Sequence, residues 1–375
     1  MENDDPEPSI RGALKYKKGL LGRWRPVHCW LFDTTFYLSK TSNLDEHKKK
    51  IEITPQTEIG LIDKKKSPQF TIEGPDSGKL YFKSNTAEVY NWVYALRSCQ
   101  HDKEERGVKF SIDQFRILSV LGRGFYGKVM LVEKLDDGSL YALKTVKKSQ
   151  LEQLNQINTV VHERNILGSI PPHPFIVNLI FTFQTPKKFY LGMEYASGGE
   201  LLHYLQTLGD PPVEDVRLYI AEISLALEHL HSHHIVYRDL KPENVMLDKD
   251  GHIKLADFGL AKQIESGTDT FSGTAEYLAP EIITRSVYGF AVDWWSLGVL
   301  LYEIICDEHP FKSDNQKQMF EDIVLKEPKY PRYAHRTAVD LIRELLQKDP
   351  SQRCDFERIK NHAFFRGLDW NKVLE

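Results

Sequence analysis

The sequence predicts an α+β chain in two parts. A small antiparallel sheet closed by one helix comes first, and a sheet-rich lobe leading into a larger helical lobe follows. Three observations predict it. Residues 10–83 alternate short aromatic and β-branched runs with Gly, Pro, Asp and Asn punctuation. Residues 100–109, QHDKEERGVK, hold one aliphatic side chain among many charges and read as part of a short linker, residues 102–114. From residue 214 onward the apolar spacing turns helical.

In order, GALKY, VHCWLF, TFYLS, KIEI, FTIEG and KLYF read as strands. TAEVYNWVYALRSC then changes period: Val89, Trp92, Val93 and Leu96 share one helix face, with Thr86 as its expected N-cap. After the linker, FRILSVL and VMLV read as strands, and Asp137-Gly138 turns the chain into LYALKTV. In EDVRLYIAEISLALEHLHSH, residues Val216, Ile220, Ile223, Leu227 and Leu230 form one apolar stripe.

Composition narrows the function classes. Apolar content of 41% and charged content of 27% over 375 residues describe a globular chain long enough for two domains. The net charge of −4 divides unevenly. Residues 1–100 carry 16 basic and 13 acidic side chains, a net of +3, which leaves −7 for the remainder. A basic front suggests an anionic partner for that part, and no nucleic-acid partner is expected. Cys29, Cys99, Cys306 and Cys354 are far apart without a CxxC pair, which argues against a disulfide framework and for a reducing compartment. The start, MENDDPEP, does not read as a signal peptide, and WWSLGVLLYEIIC (294–306) is too short for a membrane span and carries Glu303.

The chemistry concentrates in a few short stretches. LGRGFYGKV (121–129) sets Gly122, Gly124 and Gly127 between two strands, where bare backbone amides can approach phosphate oxygens. A strand, not a helix, follows, so the dinucleotide fingerprint is excluded. Lys144 in YALK shares a strand face with Ala142, and an inward ammonium needs anionic partners, with Glu163 on the next predicted helix as a candidate. IVYRDLKPENVML (235–247) places Arg238, Asp239, Lys241 and Glu243 between two apolar runs, and Asp257-Phe258-Gly259 follows one hairpin later. Asp239, Lys241, Asn244 and Asp257 form a phosphate-handling set: a carboxylate to deprotonate a hydroxyl, an ammonium to neutralise the moving charge, and two oxygen donors for Mg²⁺.

Taken in chain order, these motifs make residues 115–365 resemble the eukaryotic protein kinases. RDLKPEN with GTAEYLAPE resembles the serine/threonine class, and MEYASGGEL (193–201) with DTFSGTAEYLAPE resembles the AGC group. Residues 9–101 resemble a pleckstrin-homology domain, with Lys17-Lys18-Gly19 and RWRP (23–26) in its first hairpin and Trp92 on its closing helix. That order of domains resembles the protein kinase B (Akt) family. The implied fold is a pleckstrin-homology β-barrel or sandwich with a C-terminal helix, then a bilobal kinase.

The resemblance implies a protein serine/threonine kinase that uses ATP and Mg²⁺. Asp239 is the implied base and Lys241 the phosphate neutraliser. Asn244 and Asp257 are the implied Mg²⁺ ligands. ATP would be held by Leu121, Gly122, Arg123, Gly124, Phe125, Tyr126, Gly127, Lys128 and Val129, with Ala142, Lys144, Glu163, Met193, Glu194, Ala196, Glu200 and Met246. All these residues are expected around one hollow between two lobes. Leu167, Leu179, Tyr237 and Phe258 would stack as a spine anchored by Asp293, and Glu281 would pair with Arg353. Glu200, Glu243 and Glu303 imply protein substrates with arginines upstream of Ser or Thr. Thr270 is the implied site for an upstream activating kinase, with Arg238 and Lys262 receiving its phosphate.

The resemblance also implies reversible recruitment of a cytoplasmic monomer to phosphoinositides of the plasma membrane, through Lys17, Arg23, Arg25 and Lys79. Val27 stands where a basic residue is expected, and Arg23 with Arg25 moves the expected basic pair two residues earlier along the same strand face. Lys48–Lys50 and Lys64–Lys66 add general attraction to anionic surfaces. Thr159 replaces an expected histidine, and Ala275 replaces a proline. Residues 366–375 read as a truncated tail. In the group, a longer tail packs on the small lobe and steadies the helix carrying the glutamate, so that surface is expected to be open to a peptide, or filled, or altered. Two alternatives stay open: a non-catalytic nucleotide-binding scaffold, and a front domain that binds protein instead of lipid.

Overall fold

A computed structural model of the chain describes residues 10–19, 22–32, 34–42, 49–54, 56–62, 68–74, 78–101, 110–124, 127–153, 157–209, 211–264 and 267–374. Phe125, Tyr126, Lys48, Lys64–Lys66 and most of the expected linker lie outside the described residues. The chain divides into two compact units, Met1–Arg164 with Leu179–Glu194, and Asn165–Asn178 with Tyr195–Glu375.

The first unit opens with strands β1 (Ile10–Lys18), β2 (Arg25–Phe32), β3 (Thr35–Ser39), β4 (Lys49–Glu52), β5 (Glu58–Ile62), β6 (Gln69–Gly74) and β7 (Gly78–Lys83). They form one antiparallel seven-stranded sheet in the order β4-β3-β2-β1-β7-β6-β5. Strand alternation turns Val27, Cys29 and Leu31 inward. Helix α1 (Thr86–His101) lays Val89, Trp92, Val93 and Leu96 on this core. Phe36 meets Trp92 and Phe82 edge-on, both at 5.4 Å, and Phe70 stacks on Phe82 at 4.9 Å. Burying each such ring contributes about 1.5–3 kcal/mol. The N-cap is Asn85, whose Oδ1 accepts the Glu88 amide at 2.9 Å, so Thr86 is the first helical residue and not the cap.

The same unit holds a second antiparallel sheet, of β8 (Phe115–Arg123), β9 (Gly127–Lys134), β10 (Leu140–Lys147), β11 (Leu179–Gln184) and β12 (Lys188–Glu194), in the order β11-β12-β10-β9-β8. Helices α2 (Lys148–Gln153) and α3 (Ile157–Ser169) follow β10. Phe115, Phe181, Phe183 and Tyr190 stack on one another within the sheet. Val146, Leu151, Val160, Val161, Phe189 and Leu191 instead join the core of the front sheet in a single buried cluster.

The second unit is mostly helical. Its elements include β13 (Gly199–Glu200), α4 (Leu201–Leu208), α5 (Val213–Ser232), β14 (Ile235–Val236), β15 (Val245–Leu247), β16 (Ile253–Leu255), β17 (Lys262–Gln263), α6 (Pro280–Ile283) and α7 (Ala291–Cys306). The α5 stripe is buried throughout, from Val216 to Leu230. The greasy segment 294–306 lies within α7, and among the described residues no helix is long and apolar enough to cross a membrane. Two small pairings matter for the chemistry. β14 pairs with β17 in the register Val236↔Lys262, and β15 pairs with β16 in the register Val245↔Leu255.

Close packing of the small sheet fixes one glycine. A Cβ on Gly127 would lie 1.8 Å from the Thr145 carbonyl oxygen, whereas one on Gly124 would meet nothing within 4 Å. Gly127→Ala should therefore destabilise the fold by about 1–3 kcal/mol, and Gly124→Ala by less than about 0.5 kcal/mol. Chemical denaturation of the two variants checks this.

Candidate active site

Each unit carries its own part of the chemistry. In the first, Gly122 pairs with Val129 and Arg123 with Lys128, and the Gly124 amide donates to the Gly127 carbonyl at 3.0 Å. This closes a glycine-rich hairpin over residues 122–129. Two-residue alternation puts Ala142, Lys144 and the buried Val146 on one face of β10 and turns the buried Leu143 to the other. Lys144 Nζ donates to Glu163 Oε1 at 2.6 Å. Glu163 is only 3% exposed. Its charge is tolerated there because an ammonium meets it. Met193 pairs with Ala142 across the β10–β12 ladder, and Glu194 ends β12.

In the second unit, the loop after β14 bends sharply. Arg238 has φ of +68°, a left-handed conformation that costs an L-residue roughly 1–2 kcal/mol. Asp293 in the first turn of α7 offsets that cost. Its fully buried carboxylate accepts the Arg238 amide at 2.8 Å, the Tyr237 amide at 2.9 Å and His231 Nε2 at 2.8 Å. The bend presents Asp239, which is 6% exposed. Thr274 Oγ1 donates to Asp239 Oδ1 at 2.8 Å. Asn244 Nδ2 donates to Oδ2 at 2.9 Å, and Lys241 Nζ lies 3.0 Å from Oδ2. Lys241 also donates to Thr274 Oγ1 at 3.0 Å, so the four side chains form one network.

The β15–β16 hairpin carries the two oxygen donors. Asn244 enters β15, Asp257 follows β16, and the Ala256 amide donates to the Asn244 carbonyl at 2.9 Å. The two residues therefore leave the same end of the hairpin. Asp257 is exposed with φ of +50°, held by the Gly259 amide at 3.2 Å to Oδ1. A carboxylate and an amide oxygen are hard donors that suit Mg²⁺. Asn244 turns its nitrogen to Asp239, which leaves its oxygen for an ion. The residues thus fit the metal. Phe258 is buried beneath, edge-on to Tyr237 at 5.2 Å, and burial pushes the Tyr237 hydroxyl well above its ordinary pKa.

Thr270 is exposed beside two cations. Lys262 Nζ donates to Thr268 Oγ1 at 2.7 Å and to Thr270 Oγ1 at 3.2 Å. Arg238 reaches Tyr288 Oη at 3.1 Å, and that hydroxyl donates to the Thr270 carbonyl at 2.6 Å. Burial, then the Arg238 charge, push the Lys262 pKa below the usual lysine value. Glu281 receives Arg353 in a fork, at 2.6 and 3.0 Å, with both residues buried.

Of the expected substrate acids, Glu200 and Glu243 are exposed, but Glu303 accepts the Tyr277 hydroxyl and lies 3.6 Å from His309. It lines a pocket of about 340 Å³ with Glu276, Asp307 and Glu308. Sequence reasoning missed these three, because their acids converge only through the turn after α7. It also missed Thr274 and His231 as partners of Asp239 and Asp293.

In the front domain, Lys17 Nζ sits 5.2 Å over the Trp24 ring and Lys83 Nζ sits 4.4 Å over it. Lys83, three positions before the helix, was not among the expected lipid residues. Arg23 and Arg25 are exposed, but β2 begins at Arg25 while Val27 is core. The strand-face argument that let Arg23 stand in for Val27 is therefore corrected: Arg23 precedes the strand. Lys79 pairs with Glu73 at 2.9 Å.

A carboxylate fixed by a hydroxyl, an amide and an ammonium, near two hard oxygen donors, suits phosphoryl transfer to a hydroxyl. Residues 115–365 match the family described as protein kinase domain. The chain is 37% identical over 360 residues to a RAC family serine/threonine-protein kinase homolog of Dictyostelium discoideum, covering 91% of this chain and 81% of that protein. It is 40% identical over 308 residues to the cAMP-dependent protein kinase type 3 of Saccharomyces cerevisiae, covering 81% and 76%. It is 38% identical over 357 residues to the serine/threonine-protein kinase gad8 of Schizosaccharomyces pombe, covering 92% and 61%. The chain belongs to the protein kinase family, as a serine/threonine kinase of the AGC type.

The buried Glu281–Arg353 fork gives a direct stability test. Arg353→Ala strands a buried carboxylate and should cost about 3–5 kcal/mol. Urea unfolding with wild type as reference reads the loss.

Proposed function

We propose that this kinase transfers the γ-phosphoryl group of ATP to Ser or Thr in protein segments with upstream arginines, and that Asp239 is the base. The network on Asp239 carries this reading. Thr274, Asn244 and Lys241 fix both carboxylate oxygens, so one is held toward an incoming hydroxyl. That hydroxyl gives its proton to Asp239, its oxygen forms the new bond to phosphorus, and the bond to the ADP oxygen breaks. Lys241 neutralises charge on the moving group, and Lys144, oriented by Glu163, takes the α- and β-phosphates. Asn244 and Asp257 would hold Mg²⁺, which would supply charge neutralisation for the phosphates. The acidic pocket at Glu276, Glu303, Asp307 and Glu308 supports a preference for arginine-rich targets.

Phosphorylation of Thr270 is the proposed switch. The modification adds about −1.5 to −2 charges. It would meet Lys262 directly, and through Tyr288 the Arg238 that precedes the base. The seven-stranded sheet with its closing helix supports a pleckstrin-homology-like front domain, and the cations around Trp24 support an anionic ligand such as a phosphoinositide. The packing of α1 on the small sheet favours a second role, binding the kinase lobe itself.

On an Arg-rich Ser peptide, Asp239→Asn should lower kcat by roughly 10²–10⁴-fold. Equal rates for variant and wild type in a radiometric assay refute the role of the base. For the front domain, Lys17, Arg23 and Arg25 changed together to Ala should weaken partitioning onto phosphoinositide vesicles by roughly a hundredfold, at about 1 kcal/mol per basic residue. Unchanged pelleting refutes lipid as the ligand.

A further inference from the structure

Helix α1 is apolar on two faces, and only one faces its own sheet. At 100° per residue, Val89, Trp92, Val93 and Leu96 centre on one direction. Tyr90 and Tyr94 lie about a third of a turn away, four residues apart, and both are buried. They meet the small kinase sheet. The Tyr94 ring lies 4.5 Å from the Phe189 ring, and its hydroxyl donates to the Tyr190 carbonyl at 2.9 Å. The Tyr90 ring lies 6.4 Å from that of His162, the residue before Glu163. Val160 and Val161, just ahead on α3, share this buried cluster with α1 and β12.

Such packing has a chemical consequence. Glu163 orients Lys144 only while α3 keeps its place, and α3 is bounded on this side by α1. We propose that α1 of the front domain braces α3 in cis, with Tyr94 and Tyr90 as positioning residues for the Lys144–Glu163 pair. The front domain is then a built-in part of the nucleotide site and not only an address label. Of the three states expected for that surface of the small lobe, open, filled or altered, the proposal selects filled, with the chain's own helix as occupant. The inference rests on the reading of Lys144 as the phosphate holder.

The test uses the full chain with Tyr94→Ala, Tyr94→Phe, Glu163→Gln and the double variant Tyr94→Ala/Glu163→Gln. Hydrogen exchange reports on residues 157–169, and titration with Mg-ATP reports affinity. Tyr94→Ala should speed exchange across 157–169, leave β1–β7 protected, and weaken Mg-ATP binding about tenfold. Tyr94→Phe keeps the ring and loses only the hydroxyl bond, so its effect should be about threefold. In the Glu163→Gln background, Tyr94→Ala should cost nothing further, because its effect runs through that carboxylate.

Full additivity, unchanged exchange in 157–169, or tighter nucleotide binding overturns the proposal. If Tyr94→Ala also unfolds the front sheet, Tyr94→Phe decides: unchanged exchange and affinity overturn it. The kinase reading fails separately. A wild type that transfers no phosphate, yet whose 157–169 protection and Mg-ATP affinity respond to Tyr94, sinks the activity and keeps the brace. A wild type that transfers phosphate with Tyr94-insensitive binding sinks only the brace.

Discussion

The shape of the catalytic loop depends on one buried carboxylate. Asp293 takes the amides of Tyr237 and Arg238 and the ring of His231, all within 2.9 Å. Hydrogen bonds to a charged acceptor contribute about 1.5–3 kcal/mol each. Two of them outweigh the roughly 1–2 kcal/mol that a left-handed arginine costs. The bend at Arg238 is therefore held from below and not by its own preference. Because α7 packs its apolar length against α5 and the helix spanning residues 336–345, Asp293 is fully buried at the start of a well-packed helix. Rigidity passes from a hydrophobic helix, through one carboxylate, to the residue before the base.

This arrangement explains why the chain tolerates charges of both signs between the apolar runs at 235–236 and 245–247. Each is met. Asp239 has an ammonium, an amide and a hydroxyl, and Arg238 has the Leu260 carbonyl and the Tyr288 hydroxyl. Burying an isolated charge would cost several kcal/mol, so the partners are a condition of folding as well as of chemistry. Lys262 is less well compensated. Its hydrogen-bond partners are the Thr268 and Thr270 hydroxyls, and burial, then the Arg238 charge, lower its pKa against the opposing charge of Asp269. A new anion beside it would favour the ammonium and supply an ionic partner at hydrogen-bonding distance that the two hydroxyls do not. Thr270, exposed and 3.2 Å away, is where such an anion gains most.

Much of this was legible in the residues. Period-two and period-3.6 spacing located six of the seven strands of the front sheet, the α5 stripe and the Lys144 face of β10, because those signals are local, and missed β5, the strand at Glu58–Ile62. The order of the charged motifs located the Asp239 loop and the 257–259 turn. What escaped depended on contacts made at a distance or on a boundary. Thr274 reaches Asp239 across 35 residues and His231 reaches Asp293 across 62, with no spacing to announce either. Arg23 was misplaced because strand alternation was extended one turn too far, past the start of β2. Thr86 was taken for the cap when Asn85, one residue earlier, makes the bond.

The largest omission was visible and undervalued. A helix with a single apolar stripe packs on one surface, while one that is apolar around more of its circumference must be covered on two. The residues YNWVYAL announce the second case, since Tyr90 and Tyr94 cannot join the stripe of Val89, Trp92, Val93 and Leu96. Once those tyrosines are buried against β12 and α3, the front sheet and the small kinase sheet share one core. Two sheets that share a core do not loosen independently. By linkage, if α1 braces α3 as proposed, nucleotide held through Lys144 and Glu163 would in turn steady α1 by the same free energy.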